Sequence, residues 1–253
     1  MLLTQAQIQQ FKIDGYLLLP KQVPSDQLLE LRSLVERHLT ERVEPFELEA
    51  DVHYPGAPES RDAQGGETIR RLKLAYTRAP QLAAMANLPS VVNAVQQILD
   101  SKHVLLNPYH HNCVMTKQPE FSSETLWHRD TRYWNFNNKY LINSWLAIGE
   151  EKAENGAMKI LPGSHRWEVA EDALDGAQFL ITDHPDTIGR LSTARTVEMQ
   201  AGDLLLFSAH CFHAAGRNLT DQSKFALVYT FHGEDTRPLP NTHSASGSEI
   251  VLK

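Results

Sequence analysis

The chain has 253 residues, 42% of them hydrophobic, with 31 acidic against 24 basic side chains and a formal charge of −7. That size fits a single domain over residues 1–253 with a sizeable core, and the acidic balance argues against nucleic acid or an anionic membrane as partner. No apolar run approaches the roughly 18 residues of a membrane span, Met1 to Gln10 carries no charged-then-apolar signal, and Cys113 and Cys211 stand in no metal-ligand spacing, so a reducing, cytoplasmic setting is expected.

Thr4 reads as a helix N-cap followed by Ile8, Phe11 and Lys12, and Gly15 ends that helix. Tyr16 to Leu19 is a short strand stopped by Pro20. Ser25 or Asp26 caps a second helix whose stripe is Leu28, Leu29, Leu31, Leu34 and Val35. Residues 51–66 are rich in Gly and Pro and read as a long loop. A helical pattern returns over 79–101, so that 1–102 is expected to be mostly helical support. From residue 103 the pattern changes to short apolar segments: Val104–Leu106, His111–Thr116, Leu141–Ile148, Met158–Leu161, Thr196–Glu198, Leu204–Phe207 and Phe225–Phe231. Such a series predicts a sandwich or barrel over 103–232, mainly β with flanking helices (α+β), followed by a tail over 233–253.

Within the β region, Trp127-His128-Arg129-Asp130 carries a His and an Asp at i and i+2. On an extended segment both side chains point to one side. A second His from a distant strand would complete two His and one carboxylate on one face of a metal, the arrangement of non-haem Fe(II) oxygenases. The pair alone could equally be an ordinary hydrogen-bonded contact, and twelve histidines make a further His downstream uninformative by itself. His210 and His213 both lie in the segment that could supply it.

The surrounding motifs add to this reading. Asn155-Gly156-Ala157, Pro162-Gly163-Ser164-His165, Gly202-Asp203 and His213 through Asn218 follow in order, and Phe11 to Tyr16 precedes them. With this ordered set the chain resembles the phytanoyl-CoA dioxygenase family of Fe(II)/2-oxoglutarate-dependent oxygenases. The resemblance implies a double-stranded β-helix, a jelly-roll core whose mouth holds the iron. It implies His128, Asp130 and His213 as metal ligands, His213 being the one followed by the family's small-residue, Gly and Asn pattern. The implied cofactors are Fe(II), 2-oxoglutarate and O2. The family's arginine for the far carboxylate of 2-oxoglutarate is replaced here by Lys224, a point cation without a planar fork. Arg217 is the weaker candidate, and Asn112, Lys117 and Thr125 are candidate cosubstrate contacts.

The resemblance implies hydroxylation of an aliphatic C–H of a small metabolite, with release of succinate and CO2. The Asp130 carboxylate favours that outcome over halogenation, while desaturation or ring closure stays open. Arg70, Arg71, Lys73, Arg129, Arg132, Tyr133 and Trp134 are candidate substrate contacts, and their cations suit an anionic substrate. Two other readings remain at this point: a cupin-type metal enzyme that does not use 2-oxoglutarate, and a non-catalytic binding or sensor module. The 51–66 loop and the tail from Gly233 are expected to cover the site.

Overall fold

The computed structural model describes residues 2–252, which leaves Met1 and Lys253 outside the account. Six helices are present among the described residues: α1 (Gln5–Asp14), α2 (Ser25–Thr40), α3 (Ala75–Arg78), α4 (Pro80–Ala86), α5 (Pro89–Leu99) and α6 (Pro185–Leu191). The strands are β1 (Tyr16–Leu19), β2 (Phe46–Leu48), β3 (Ile69–Lys73), β4 (Leu105–Leu106), β5 (Asn112–Lys117), β6 (Thr125–His128), β7 (Leu141–Ala147), β8 (Met158–Ile160), β9 (Arg195–Thr196), β10 (Leu204–Ser208), β11 (His213–Ala215), β12 (Lys224–His232) and β13 (Ile250–Val251).

Local chemistry accounts for several boundaries. The Thr4 hydroxyl accepts from Gln7 N while the Gln7 side chain accepts from Thr4 N, a reciprocal capping box that starts α1. Gly15 closes the helix at φ 78°, where a Cβ would lie 2.4 Å from Cys211 Sγ. The second helix begins at Ser25 with Pro24 at its N-cap, so neither Ser25 nor Asp26 acts as a cap. The helical stretch expected over 79–101 is broken in two, because Pro89 has no N–H to continue α4 and instead opens α5.

Nine strands form the larger sheet, whose main order is β1-β10-β7-β12-β5-β3-β2, with β4 and β13 attached beside β12. Four form the smaller sheet, β6-β11-β8-β9. The two sheets make the double-stranded β-helix. The N-terminal third is less purely helical than its sequence suggests, since β1, β2 and β3 all join the larger sheet.

The central strands are covered on both faces, which is why they read as continuous apolar runs. Along β12, Phe225, Leu227, Tyr229 and Phe231 pack with α1, α2 and α5 residues such as Phe11, Leu31 and Val95. Ala226 and Val228 alternate to the other side, against Cys113, Trp145, Met158, Ile160 and Phe207. Lys224, Thr230 and His232 have the parity of Ala226 and Val228, so period-2 alternation carries polar side chains toward the interior.

Candidate active site

The metal-ligand candidates sit at the junction of the smaller sheet. His128 closes β6 and His213 opens β11, and the two are direct cross-strand partners. The strand stops at His128, but Arg129 stays extended at φ −107°, ψ 137°, so Asp130 keeps the i+2 direction as it enters a 3₁₀ turn. His128 Nδ1 lies 2.8 Å from Leu126 O and His213 Nδ1 lies 3.1 Å from Cys211 O. Each contact puts the proton on Nδ1 and leaves the Nε2 lone pair free. Those Nε2 atoms lie 3.5 Å and 3.6 Å from the two oxygens of Asp130. One ligand atom from each of the three residues lies within 4.8 Å of the others. Burial lowers the His213 imidazole to about 4 against the pull of Asp130, so it is neutral at pH 7.

A second layer of hydrogen bonds aims the carboxylate. Asn143 Nδ2 donates to Asp130 Oδ2 at 2.6 Å, and Thr230 Oγ1 donates to Asn143 Oδ1 at 2.6 Å, which fixes the amide's orientation. His111 Nε2 lies 2.9 Å from Asp130 Oδ1. Burial alone would raise Asp130, but His111 and His213 outweigh it and hold the carboxyl well below its usual range. Burial opposes the charge on His111, yet Asp130 raises it to about 9. Two imidazoles that present Nε2 and one ionised carboxylate, each oriented from behind, are a donor set that fits Fe(II) with open positions.

These groups line one side of a cavity of about 350 Å³, and Lys117, Thr125 and Lys224 line it as well. Lys224 at the start of β12 is the cross-strand partner of Lys117 at the end of β5. Lys224 Nζ donates to Glu151 Oε2 at 3.0 Å, and Trp145 Nε1 donates to Glu151 Oε1 at 2.5 Å. Glu151 has no exposed surface. Lys117 Nζ donates to the Ser123 carbonyl at 2.8 Å and has no carboxylate partner among the described residues. Burial, then Lys224 and Arg70, lower Lys117 to about 7. Gly156, at φ 79°, lets the turn press against this lysine: a Cβ there would lie 2.5 Å from Gly216 O and 2.8 Å from Lys117 Cδ.

The sequence profile named Phytanoyl-CoA dioxygenase (PhyH) matches residues 11–226. The chain belongs to the phytanoyl-CoA dioxygenase family. It is 26% identical over 242 residues to a multifunctional dioxygenase, ausE, of Aspergillus calidoustus, covering 90% of this chain and 73% of that protein. It is 24% identical over 272 residues to an ectoine dioxygenase of Streptomyces avermitilis, covering 98% and 85%. The fold matches the crystal structure of the epimerase SnoN, solved with Fe3+, alpha ketoglutarate and nogalamycin RO, at a TM-score of 0.75, 18% identity and coverage of 96% and 91%. This family member is an Fe(II)/2-oxoglutarate-dependent dioxygenase, and its donor set fits that iron.

Within this phytanoyl-CoA dioxygenase fold the remaining candidates separate clearly. Asn112 does not line the cavity: its amide is engaged by Tyr76 N at 2.8 Å and by Pro108 O at 3.3 Å. Arg217 is also turned away, donating to the carbonyls of Ser122 and Glu120. His210 bonds Thr131 Oγ1 at 2.7 Å and is absent from the cavity wall. Arg129 stacks 4.1 Å over Phe212 and donates to the Ser164 and Trp167 carbonyls, so it braces the Pro-Gly-Ser-His turn instead of facing substrate. His165 sits in that turn. Arg70, Arg71, Arg132, Tyr133 and Trp134 line the cavity. Val52 and Tyr54 of the 51–66 loop line it too, with Tyr54 edge-on to Phe179 at 5.7 Å. The C-terminal tail takes another course: Leu239 N donates to Asn135 O, Ser244 meets His110, and among the described residues none of the tail borders this cavity. Sequence reasoning missed Glu151, Asn143 and Thr230. A buried Asn inside the apolar run Leu141 to Ala147 was the available signal for Asn143.

Proposed function

We propose that this dioxygenase hydroxylates an aliphatic C–H of a small metabolite, with His128, Asp130 and His213 holding the iron and the two facing lysines holding 2-oxoglutarate. The observation that carries the cosubstrate assignment is the charge balance where Lys117 and Lys224 line the cavity. Lys224 and Glu151 neutralise each other, while Lys117 has no carboxylate partner among the described residues. One incoming carboxylate completes the balance. Each ammonium has three donors and spends one on the protein, which leaves two apiece for that carboxylate. Thr125, whose hydroxyl lies 3.4 Å from Arg70 Nη2, supplies a further polar contact on the same wall.

Bound Fe(II) with 2-oxoglutarate and O2 supplies the oxidising chemistry, in which the cosubstrate becomes succinate and CO2 and one oxygen atom enters the substrate C–H. The chain's own residues do the positioning. His128 and His213 present Nε2, Asn143 and His111 fix the two oxygens of Asp130, and Tyr54, Tyr133 and Trp134 add aromatic surface to the cavity wall. Water exclusion at such a site suppresses side reactions of a strong oxidant. A non-catalytic reading has no comparable support, because ligands and cations converge on one cavity. The buried, unpaired thiols Cys113 and Cys211 suit a cytoplasmic setting.

The test is a metabolite screen for substrate-stimulated succinate release under 18O2, followed by mass spectrometry. A product heavier by one labelled oxygen supports hydroxylation. A product lighter by two hydrogens would replace it with desaturation or ring closure.

A further inference from the structure

A second cleft of about 360 Å³ lies beside the first cavity. Arg71, His111, Tyr133 and Trp134 line both, so the two volumes adjoin along these side chains. Their charges differ. The first cavity has Glu47, Glu49 and Asp130 in its wall, whereas no carboxylate borders the second among the described residues. Two cations of the second come from β3, where Arg71 and Lys73 stand at i and i+2 on one face of the strand; the third, His111, is already paired with Asp130.

Neither β3 cation is saturated. Arg71 Nη2 is held by Glu47 at 2.5 Å, but Arg71 Nε is buried with no acceptor. Lys73 is exposed and its ammonium has no carboxylate partner among the described residues. A buried N–H left without an acceptor is costly, so Arg71 is only partly satisfied by Glu47, and Lys73 is the cation of this pair with an ammonium open to a ligand. Much of the remaining wall is aromatic: His110 stacks on Trp134 at 4.4 Å and 21°, and Tyr109 meets His243 edge-on at 5.9 Å. Burial keeps His110 neutral, with its imidazole lowered to about 3.

We propose that this cleft is the subsite for the anionic end of the substrate: an elongated molecule with a carboxylate or phosphate on Arg71 and Lys73, its stem passing Trp134 and its oxidised carbon in the first cavity. The inference rests on the hydroxylase reading for which end reacts, but the anion subsite can be measured by binding alone.

The experiment uses protein loaded with Fe(II) and saturating 2-oxoglutarate under nitrogen, titrated with hexyl phosphate, hexanoate or hexanol and followed by tryptophan fluorescence and calorimetry. The wild type should bind one or both anions about ten-fold more tightly than hexanol, and the stronger anion identifies the head group. Lys73→Glu should erase that preference, with hexanol binding, 2-oxoglutarate binding and substrate-free succinate release unchanged. Lys73→Arg should retain it. Equal affinity of wild type for anions and hexanol would overturn the proposal, as would a preference that survives in Lys73→Glu. So would a preference seen only without 2-oxoglutarate, since the anion would then occupy the cosubstrate position. Loss of succinate release in wild type would count against the hydroxylase reading and leave the subsite measurement standing.

Discussion

Replacing Lys117 by Met separates cosubstrate binding from folding. In the free protein the Lys117 charge is a burden: burial and the neighbouring charges of Lys224 and Arg70 lower it to about 7. Removing it relieves that repulsion, so urea denaturation of Lys117→Met should show a midpoint equal to or above wild type. Binding should move the other way. Losing one partner of a buried charge pair costs about 2–5 kcal/mol. At about 1.4 kcal/mol per ten-fold, the lower bound is roughly a 30-fold rise in the 2-oxoglutarate Kd. Lys117 is half neutral near pH 7, which subtracts only about two-fold. Calorimetric titration of 2-oxoglutarate into anaerobic, Fe(II)-loaded protein at pH 6.5 reads this directly. An unchanged Kd in Lys117→Met, with iron retained, would refute the charge balance that places the carboxylate between the two lysines.

Lys224→Met should behave differently, because it leaves Glu151 Oε2 buried without its 3.0 Å partner; denaturation should show a loss of about 3–5 kcal/mol, alongside weaker 2-oxoglutarate binding. An intact midpoint there would mean that Glu151 finds another partner. The pH dependence follows from Lys117. Its free-state value is lowered to about 7 and a bound carboxylate raises it, so binding takes up a proton above pH 7. The 2-oxoglutarate Kd should therefore increase between pH 7 and 8.5, with calorimetric heats that depend on buffer ionisation; a flat profile contradicts this. Asn143→Ala removes the donor to Asp130 Oδ2 and strands Thr230 Oγ1, so Fe(II) affinity should fall about 10–100-fold by metal titration, with O2 consumption falling in step.

How much of this was legible in the sequence depends on what each residue is buried against. The motif around His128 and Asp130 could be read because its spacing needs only one extended residue, Arg129, and the structure keeps that residue extended. Strands β7, β10 and β12 announced themselves because both of their faces are covered by apolar neighbours. Strand β3 did not: Ile69-Arg70-Arg71-Leu72-Lys73 has cations where a half-buried strand shows apolar residues, and its arginines are covered by Glu47 and Glu49 instead. Strand β11 is three residues long, too short for any periodicity. Glu151 lies in Gly149-Glu150-Glu151-Lys152, which looks like a solvated charged turn. Only the fold reveals that reciprocal backbone hydrogen bonds with Met199 turn it beneath Lys224. The candidate cosubstrate contacts differ in placement for a similar reason. Residues 112 and 117 both belong to β5, but Asn112 spends its amide on Tyr76 and Pro108 backbone, whereas Lys117 reaches the cavity.

The most direct measurement compares succinate formed from 2-oxoglutarate by wild type, His213→Ala and His210→Ala, each supplied with Fe(II), with and without O2, and each checked for folding by circular dichroism. Wild type and His210→Ala should release succinate only when both Fe(II) and O2 are present, and His213→Ala should release none while remaining folded. Absence of O2-dependent succinate from iron-loaded wild type would contradict the account, as would activity that survives in His213→Ala and disappears in His210→Ala.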